Sequence, residues 1–311
     1  MLRKKYLLLM VFFGLAAQMM GQQISKEELI FLTPEWKGER FEDGRPKVPD
    51  AVLKRMKSVS VEEAWAVMKN EGYRYQIAED WKLINPDSVL VGRAVTATFM
   101  PGRPDVWKAI DDRGKAQGKR GQNTWPVDIL VKGDVYVADQ FGADKDGPTI
   151  GDNVGNAIYA KTGNGVVYDG ALRDVEGLIE IGGFTSYYTS YDASHHNPSG
   201  DLNTMLIGIN QPTRIRTVTV MPGDVVLGKM GVVVFIPPHL AEEVAKTSEV
   251  VRLRDMFGHQ RIKAGVYTAG QIDTRWADDI EKDFSKWLNE HIDDLPVSKE
   301  QIQEILKKRT W

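Results

Sequence analysis

The stretch from residue 132 to residue 181, KGDVYVADQFGADKDGPTIGDNVGNAIYAKTGNGVVYDGALRDVEGLIEI, constrains the fold of this chain more than any other. Apolar runs at 134–138 and 165–168 have the character of buried strands. Between them lie a glycine-punctuated turn at 147–151 and a helix-like run at 153–161. The order is strand, loop, helix, strand, as in an α/β protein. The second strand is expected to end in Asp169-Gly170, with Arg173, Asp174 and Glu176 close behind it. Polar groups gathered where a buried strand ends are a common way to build a site.

The chemistry of these residue types is specific. The guanidinium of Arg173 is a rigid fork of donors that suits a carboxylate. Asp174 is a hard oxygen ligand suited to Mg²⁺ or Mn²⁺. Asp152 stands at the expected helix start, where the amides of Asn153 and Val154 leave the first turn free to hold an anion. Taken alone, the same residues also read as a surface ion pair and a helix cap.

The whole arrangement decides more than its parts. Gly151-Asp152, a helix, Gly163-x-Gly165, an apolar strand, Asp169-Gly170 and Arg173-Asp174 follow one another, with twenty residues between Asp152 and Arg173. This pattern resembles the RraA-like family over roughly residues 58–246. Some members of that family are class II pyruvate aldolases acting on 4-hydroxy-4-methyl-2-oxoglutarate. Others are regulators of ribonuclease activity, and many carry a demethylmenaquinone methyltransferase label. Gly92-Arg93-Ala94-Val95-Thr96 is similar to the family's early strand, and Met221-Pro222-Gly223-Asp224 to its closing strand pair. The sequence departs from the family at two places. The last acid of the motif is displaced from position 177, a glycine here, to Glu176, and Lys229 stands where an acid is common.

The resemblance implies an α/β fold of the swivelling β/β/α type, here with a helical C-terminal extension, assembled as a trimer or hexamer with sites near subunit boundaries. It implies a divalent-metal-dependent lyase that releases pyruvate or a similar product from a small 2-keto acid. Arg173 would bind the keto-acid end, Asp174 would hold Mg²⁺ or Mn²⁺ mostly through water, and Asp152 would orient a water on the metal that acts as base. The amides of Asn153 and Val154 would cradle the carboxylate, with Glu176 a second acid near the metal waters. The alternative is a non-catalytic member that binds a ligand or protein through the same scaffold. A methyltransferase finds little support, since no glycine-rich loop is followed by an acid at the spacing of a dinucleotide-type site.

The rest of the chain organises around this unit. Residues 1–22 carry Arg3, Lys4 and Lys5, then an apolar run at 6–17 and small residues Ala16, Ala17 and Gly21. They read as a leader for export to the periplasm or beyond, with no membrane attachment once removed. The chain has 40 basic and 43 acidic residues; losing the leader's three basic residues takes the formal charge from −3 to about −6. That balance argues against nucleic acid as a partner. With no cysteine, disulfides and thiolate chemistry are excluded.

Residues 23–57, with Pro34, Pro46 and Pro49, read as an extended, loosely packed arm. Residues 58–250 form the expected RraA-like domain and 251–311 a helical extension. Ser60 with Glu63, and Ser298 with Gln301, form capping-box patterns. Arg93 reads as a solvated strand residue, and the basic run 114–122 (GKAQGKRGQ) as a solvated loop or the cover of a site. In the aromatic segment 184–203, His195 is a candidate substrate contact, while Tyr187, Tyr188 and Tyr191 either shape a pocket or pack the loop.

Overall fold

The computed structural model of the chain describes residues 22–143, 148–194 and 203–307. In chain order the elements are α1 (Lys26–Leu32), α2 (Asp50–Met56), α3 (Val61–Asn70), β1 (Ile77–Ala78), β2 (Lys82–Ile84), β3 (Leu90–Pro101), α4 (Pro104–Ala116) and α5 (Trp125–Asp128). They continue with β4 (Asp134–Asp139), α6 (Asp152–Thr162), β5 (Val166–Leu172), α7 (Val175–Glu180), β6 (Ser186–Tyr191) and β7 (Thr204–Ile209). The strands β8 (Thr213–Ile215), β9 (Val218–Val220), β10 (Val225–Lys229) and β11 (Val232–Ile236) precede the helices α8 (Ala241–Lys263), α9 (Ala269–Ile272), α10 (Asp278–Glu290) and α11 (Lys299–Leu306). This is the expected mixed α/β fold with a helical C-terminal region.

Nine strands make one mixed sheet in the order β1-β11-β10-β3-β4-β5-β6-β2, with β7 also pairing β3. The centre, β3 to β6, is parallel. A parallel centre is covered on both faces, so its strands read as continuous apolar runs. In β4, Tyr136 and Ala138 face the core shared with α4, α5 and α6, while Val135 and Val137 face the core beneath the β8–β9 hairpin. The strand expected to stop at Asp169-Gly170 runs on to Leu172, so Arg173 follows it directly.

The residues expected to form a loose arm are packed. α1 begins at a Ser25 cap, and α2 buries Val52, Leu53 and Met56 against β10, β11 and the start of α8. Arg45 is fully buried and forms a two-pronged pair with the equally buried Asp134, at 2.8 and 3.1 Å. Prolines did restrict helix length here, since neither helix exceeds seven residues. What the polar composition hid was the burial of individual side chains. Gln22, the last residue assigned to the leader, is buried and its carbonyl accepts the Ile209 amide at 2.9 Å.

Three further features of the sequence find their places. Arg93 is 3% exposed rather than solvated, and it donates to Asp50 and to the carbonyls of Val48 and Lys132. Tyr187 and Tyr188 lie on β6 inside the two cores, whereas Tyr191 is exposed. Lys229 ties β10 to the Val59 carbonyl at 2.6 Å, away from the strand ends that carry the site. Both capping boxes form, at Ser60–Glu63 and Ser298–Gln301.

The C-terminal helices join the main domain through α8. α8 runs unbroken across the boundary expected at residue 250, with Ala241, Val244 and Ala245 in the main domain's core. Further along, Leu253 and Phe257 join Trp276, Phe284, Trp287 and Ile302 in a core of their own. Among the described residues no helix is long and apolar enough to cross a membrane.

Candidate active site

Parallel pairing brings the C-terminal ends of β4 and β5 side by side, with Asp139 opposite Asp169. The chain leaving β4 returns through residues 148–150 to start α6 above those ends. That return is pinned from below. The hydroxyl of Tyr168, buried on β5, accepts the Thr149 amide at 3.1 Å and lies 2.7 Å from the Thr149 hydroxyl. The Thr149 hydroxyl also donates to Gln140 at 3.1 Å, and Asn123 donates to the Thr149 carbonyl at 3.1 Å. Burial pushes the Tyr168 hydroxyl well above its ordinary pKa, so it stays a neutral anchor.

Arg173 is fixed by the same return, its amide donating to the Ile150 carbonyl at 3.1 Å. Its guanidinium Nε is buried and makes no hydrogen bond among the described residues, with Asp174 Oδ2 at 3.7 Å. Asp174 takes a left-handed backbone (φ 52°, ψ 39°) at the start of α7. Aspartate tolerates that region better than most residues. Gly151 passes so close to this pair that a Cβ there would strike Asp174 Oδ2 and approach Arg173 Nε to 3.0 Å. The lack of a side chain at Gly151 lets the two motifs approach this closely.

α6 starts one residue earlier than expected, with Gly151 as its cap and Asp152 as its first residue. The Asp152 carboxylate accepts the Asn153 amide at 2.7 Å. Of the two amides expected to cradle a carboxylate, that of Asn153 is thus already engaged. Position 177 lies against Asp152, where a Cβ would come within 2.9 Å of the Asp152 Cβ. Glu176 is exposed and forms no hydrogen bond or ion pair among the described residues. The structure thus brings Asp152, Arg173 and Asp174 together, with Glu176 exposed on α7. His195 lies outside the described residues.

Arg173 opens into a cleft of about 960 Å³ between the return segment and the C-terminal end of α4. Opposite it stand Lys115, Lys119 and Arg120, from the run read as a loop or cover. Among the described lining residues the one carboxylate, Asp111, is paired with Lys115 at 2.7 Å. Among the described lining residues, cationic side chains outnumber carboxylates, a balance that favours anions. Lys119 is pushed below its ordinary pKa by burial and lies 5.6 Å from the centre of the Trp125 ring. The basic character of 114–122 was readable, but its position across from Arg173 needs the helix α4 to be placed.

A divalent ion fits this donor set in one way. Among the described residues no group of three or more His, Cys, Asp or Glu could hold a metal. Asp174 offers a half-exposed hard carboxylate beside the Gly151 hollow. Mg²⁺ is commonly held by one or two carboxylates with several waters, so a one-carboxylate site suits Mg²⁺ or Mn²⁺. A second carboxylate pair, Asp139 and Asp169, sits on the other sheet face, engaged by the amides of Phe141 and Arg216.

Comparison with known proteins agrees with this architecture. Residues 46–234 match the family described as RraA-like, Aldolase/RraA, reaching back into the packed arm. RraAS2 of Streptomyces coelicolor, described as an unusual member of the RNase ES inhibitor RraA family, is 22% identical. The match covers 69% of this chain and 99% of that one, with a TM-score of 0.57. A protein described among novel cellulases from gut-associated microbes is 19% identical over 75% and 96% of the two chains, also at 0.57. An uncharacterised protein of Pseudomonas syringae pv. tomato is 21% identical over 73% and 98%, at 0.54. At these identities the likeness establishes the fold. No protein with a curated description matches the sequence.

Proposed function

Because the chain belongs to the RraA-like family, we propose that it is a divalent-metal-dependent lyase acting on a small 2-keto acid. The observation that carries this reading is the meeting of Arg173 and Asp174 with Gly151-Asp152 at the mouth of the cleft lined by Lys115, Lys119 and Arg120. Retro-aldol cleavage removes a hydroxyl proton and breaks a carbon–carbon bond, and the electron pair enters a pyruvate enolate. Protonation of that enolate gives pyruvate. Decarboxylation of oxaloacetate releases carbon dioxide and leaves the same enolate. Asp174 would hold Mg²⁺ or Mn²⁺, and the ion would supply Lewis acidity.

The remaining work falls to the chain. The Arg173 fork, oriented by its own backbone bond to Ile150, holds the keto-acid end and faces the charge that develops there. Asp152, half-buried at the helix start, takes up the proton through a water in the cleft. The Val154 amide, with that of Asn153 if Asp152 releases it, receives the carboxylate. Export behind a leader that ends before the packed Gln22, and assembly as a trimer or hexamer, complete the proposal. The leader's basic, apolar and small-residue order supports the first, and the family resemblance supports the second.

Pyruvate release from oxaloacetate and from 4-hydroxy-4-methyl-2-oxoglutarate, with Mg²⁺ or Mn²⁺ and then with chelator, tests the reading. The second reading, a non-catalytic binding member, is favoured by Gly177, which leaves the site without its third acid. Ligand binding that survives chelation without turnover would support it. Within the lyase reading, Arg120→Ser is expected to raise KM about tenfold with kcat little changed, because a remote cation contributes uniform binding. Steady-state kinetics at low and high salt would check it, the difference shrinking as salt screens the cleft.

A further inference from the structure

A second cavity, about 360 Å³, lies at the opposite end of the parallel strands, between the end of α1, the β9–β10 turn and the chain after β11. It shares no lining residue with the cleft at Arg173. Asp224 lines it while being 2% exposed overall. One carboxyl oxygen, Oδ2, accepts the Met221 amide at 2.8 Å and so closes the turn. The other oxygen has no partner among the described residues. A carboxyl group this buried is ionised only at a cost, which a cation seated at its second oxygen would offset.

The surroundings select the sign of the occupant. Asp224 and Glu35 both line the cavity, and the lining contains no lysine or arginine. Arg40 stands behind one wall with its guanidinium spent on Thr33, Trp36 and Gly44. Tyr73 and His239 meet at 3.4 Å across the cavity. Burial first, then Glu35, Asp224 and Glu71, raise the Tyr73 hydroxyl's pKa, which places three carboxyls around that ring. Burial lowers His239 despite Glu35 and Glu71, so its imidazole is a neutral partner rather than a competing cation. The Trp36 and Tyr73 rings and Pro237 and Pro238 give apolar walls.

We propose that this cavity is a binding site for a small organic cation, a primary ammonium on a short apolar chain, with Asp224 as its counter-ion and the Trp36 and Tyr73 rings as its walls. Anions meet only like charge there. A neutral ligand would find no charge partner in Asp224 or Glu35. A cation resolves both and gains attraction to the ring faces.

Without ligand, burial pushes the Asp224 carboxyl up to about 8. It is therefore protonated at neutral pH and must lose its proton to pair with a cation. Binding is thus expected to release a proton and to strengthen as pH rises toward 8. The probe is n-butylammonium, which stays protonated over this range, with n-butanol as its neutral counterpart. Calorimetric titration of the full chain would be run between about pH 6 and pH 8 in buffers of different ionisation enthalpy.

The expected result is butylammonium binding at least about tenfold tighter at the higher pH, with proton release, and at least about tenfold tighter than butanol. Asp224→Asn keeps an acceptor for the Met221 amide and should abolish the preference for the cation. Tyr73→Leu, which removes one ring wall, should weaken binding in a protein whose circular dichroism is unchanged. Absent binding, equal binding of butanol, or binding by wild type without proton release would overturn the proposal. Pyruvate release does not enter this test, so its outcome is independent of the lyase reading.

Discussion

Replacing Arg45 by methionine is expected to cost about 3–5 kcal/mol of folding stability, the usual result of leaving one member of a buried ion pair alone. Arg45 is 1% exposed and Asp134 is 0% exposed. Methionine keeps much of the alkyl volume over the Phe41 ring, where the guanidinium sits 4.3 Å from the centroid. What it removes is the fork on both Asp134 oxygens. The carboxylate would keep the Val131 amide at 3.0 Å and Arg93 Nε at 3.6 Å, neither of which replaces a two-pronged guanidinium.

Adding Asp134→Asn to that variant should recover a substantial part of the loss, because the second change removes the stranded charge. Urea unfolding of the two single variants and the double variant measures this directly. A cost under about 1 kcal/mol for Arg45→Met would mean that the N-terminal segment does not brace β4.

Arg173→Lys is expected to lower kcat/KM by about 10²–10³-fold, the range seen when one preorganised donor to a developing oxyanion is lost. The expectation rests on shape. Arg173 has its amide on Ile150, its Nε buried and its side chain only 30% exposed, so the fork is already oriented. Lysine offers a point charge on a flexible stem and cannot hold a planar carboxylate or enolate from two directions. Stability should change by no more than about 1 kcal/mol, because the ion pair with Asp174 is long and partly solvated. Retained kcat/KM with a matched melting temperature would remove Arg173 from the chemistry.

The βαβ unit could be read in advance because its signals are local. Buried parallel strands are continuous apolar runs, and Gly151 and Gly163 bracket α6 at its cap and its left-handed end. Ser60 and Ser298 announced their helices through partners three residues away. That Asp152, Arg173 and Asp174 would meet was legible for a related reason: a fixed spacing spans one helix and one strand, so the fold returns them to the same place.

What stayed hidden depends on partners far along the chain. Arg45 and Arg93 look like surface residues until Asp134 and Asp50 are placed beside them. Tyr187 and Tyr188 lie in a polar, loop-like sequence, yet pairing with β2 and β5 turns them into the core. Lys115, Lys119 and Arg120 read as a basic loop, and only the packing of α4 turns that run toward Arg173. Asp224 looked like an ordinary turn residue, which one of its oxygens is.

The central claim is that Asp174 holds a metal ion for the cleavage of a keto acid at Arg173. The most direct measurement is pyruvate release from oxaloacetate and 4-hydroxy-4-methyl-2-oxoglutarate by wild type and Asp174→Ala, each titrated with Mn²⁺ and then treated with chelator. Binding of Mn²⁺ would be followed in parallel by its water-proton relaxation. Turnover by wild type that requires the metal, with both turnover and Mn²⁺ binding lost in Asp174→Ala, is the predicted result. Turnover that survives chelator, or Mn²⁺ binding and turnover unchanged in Asp174→Ala, would contradict it.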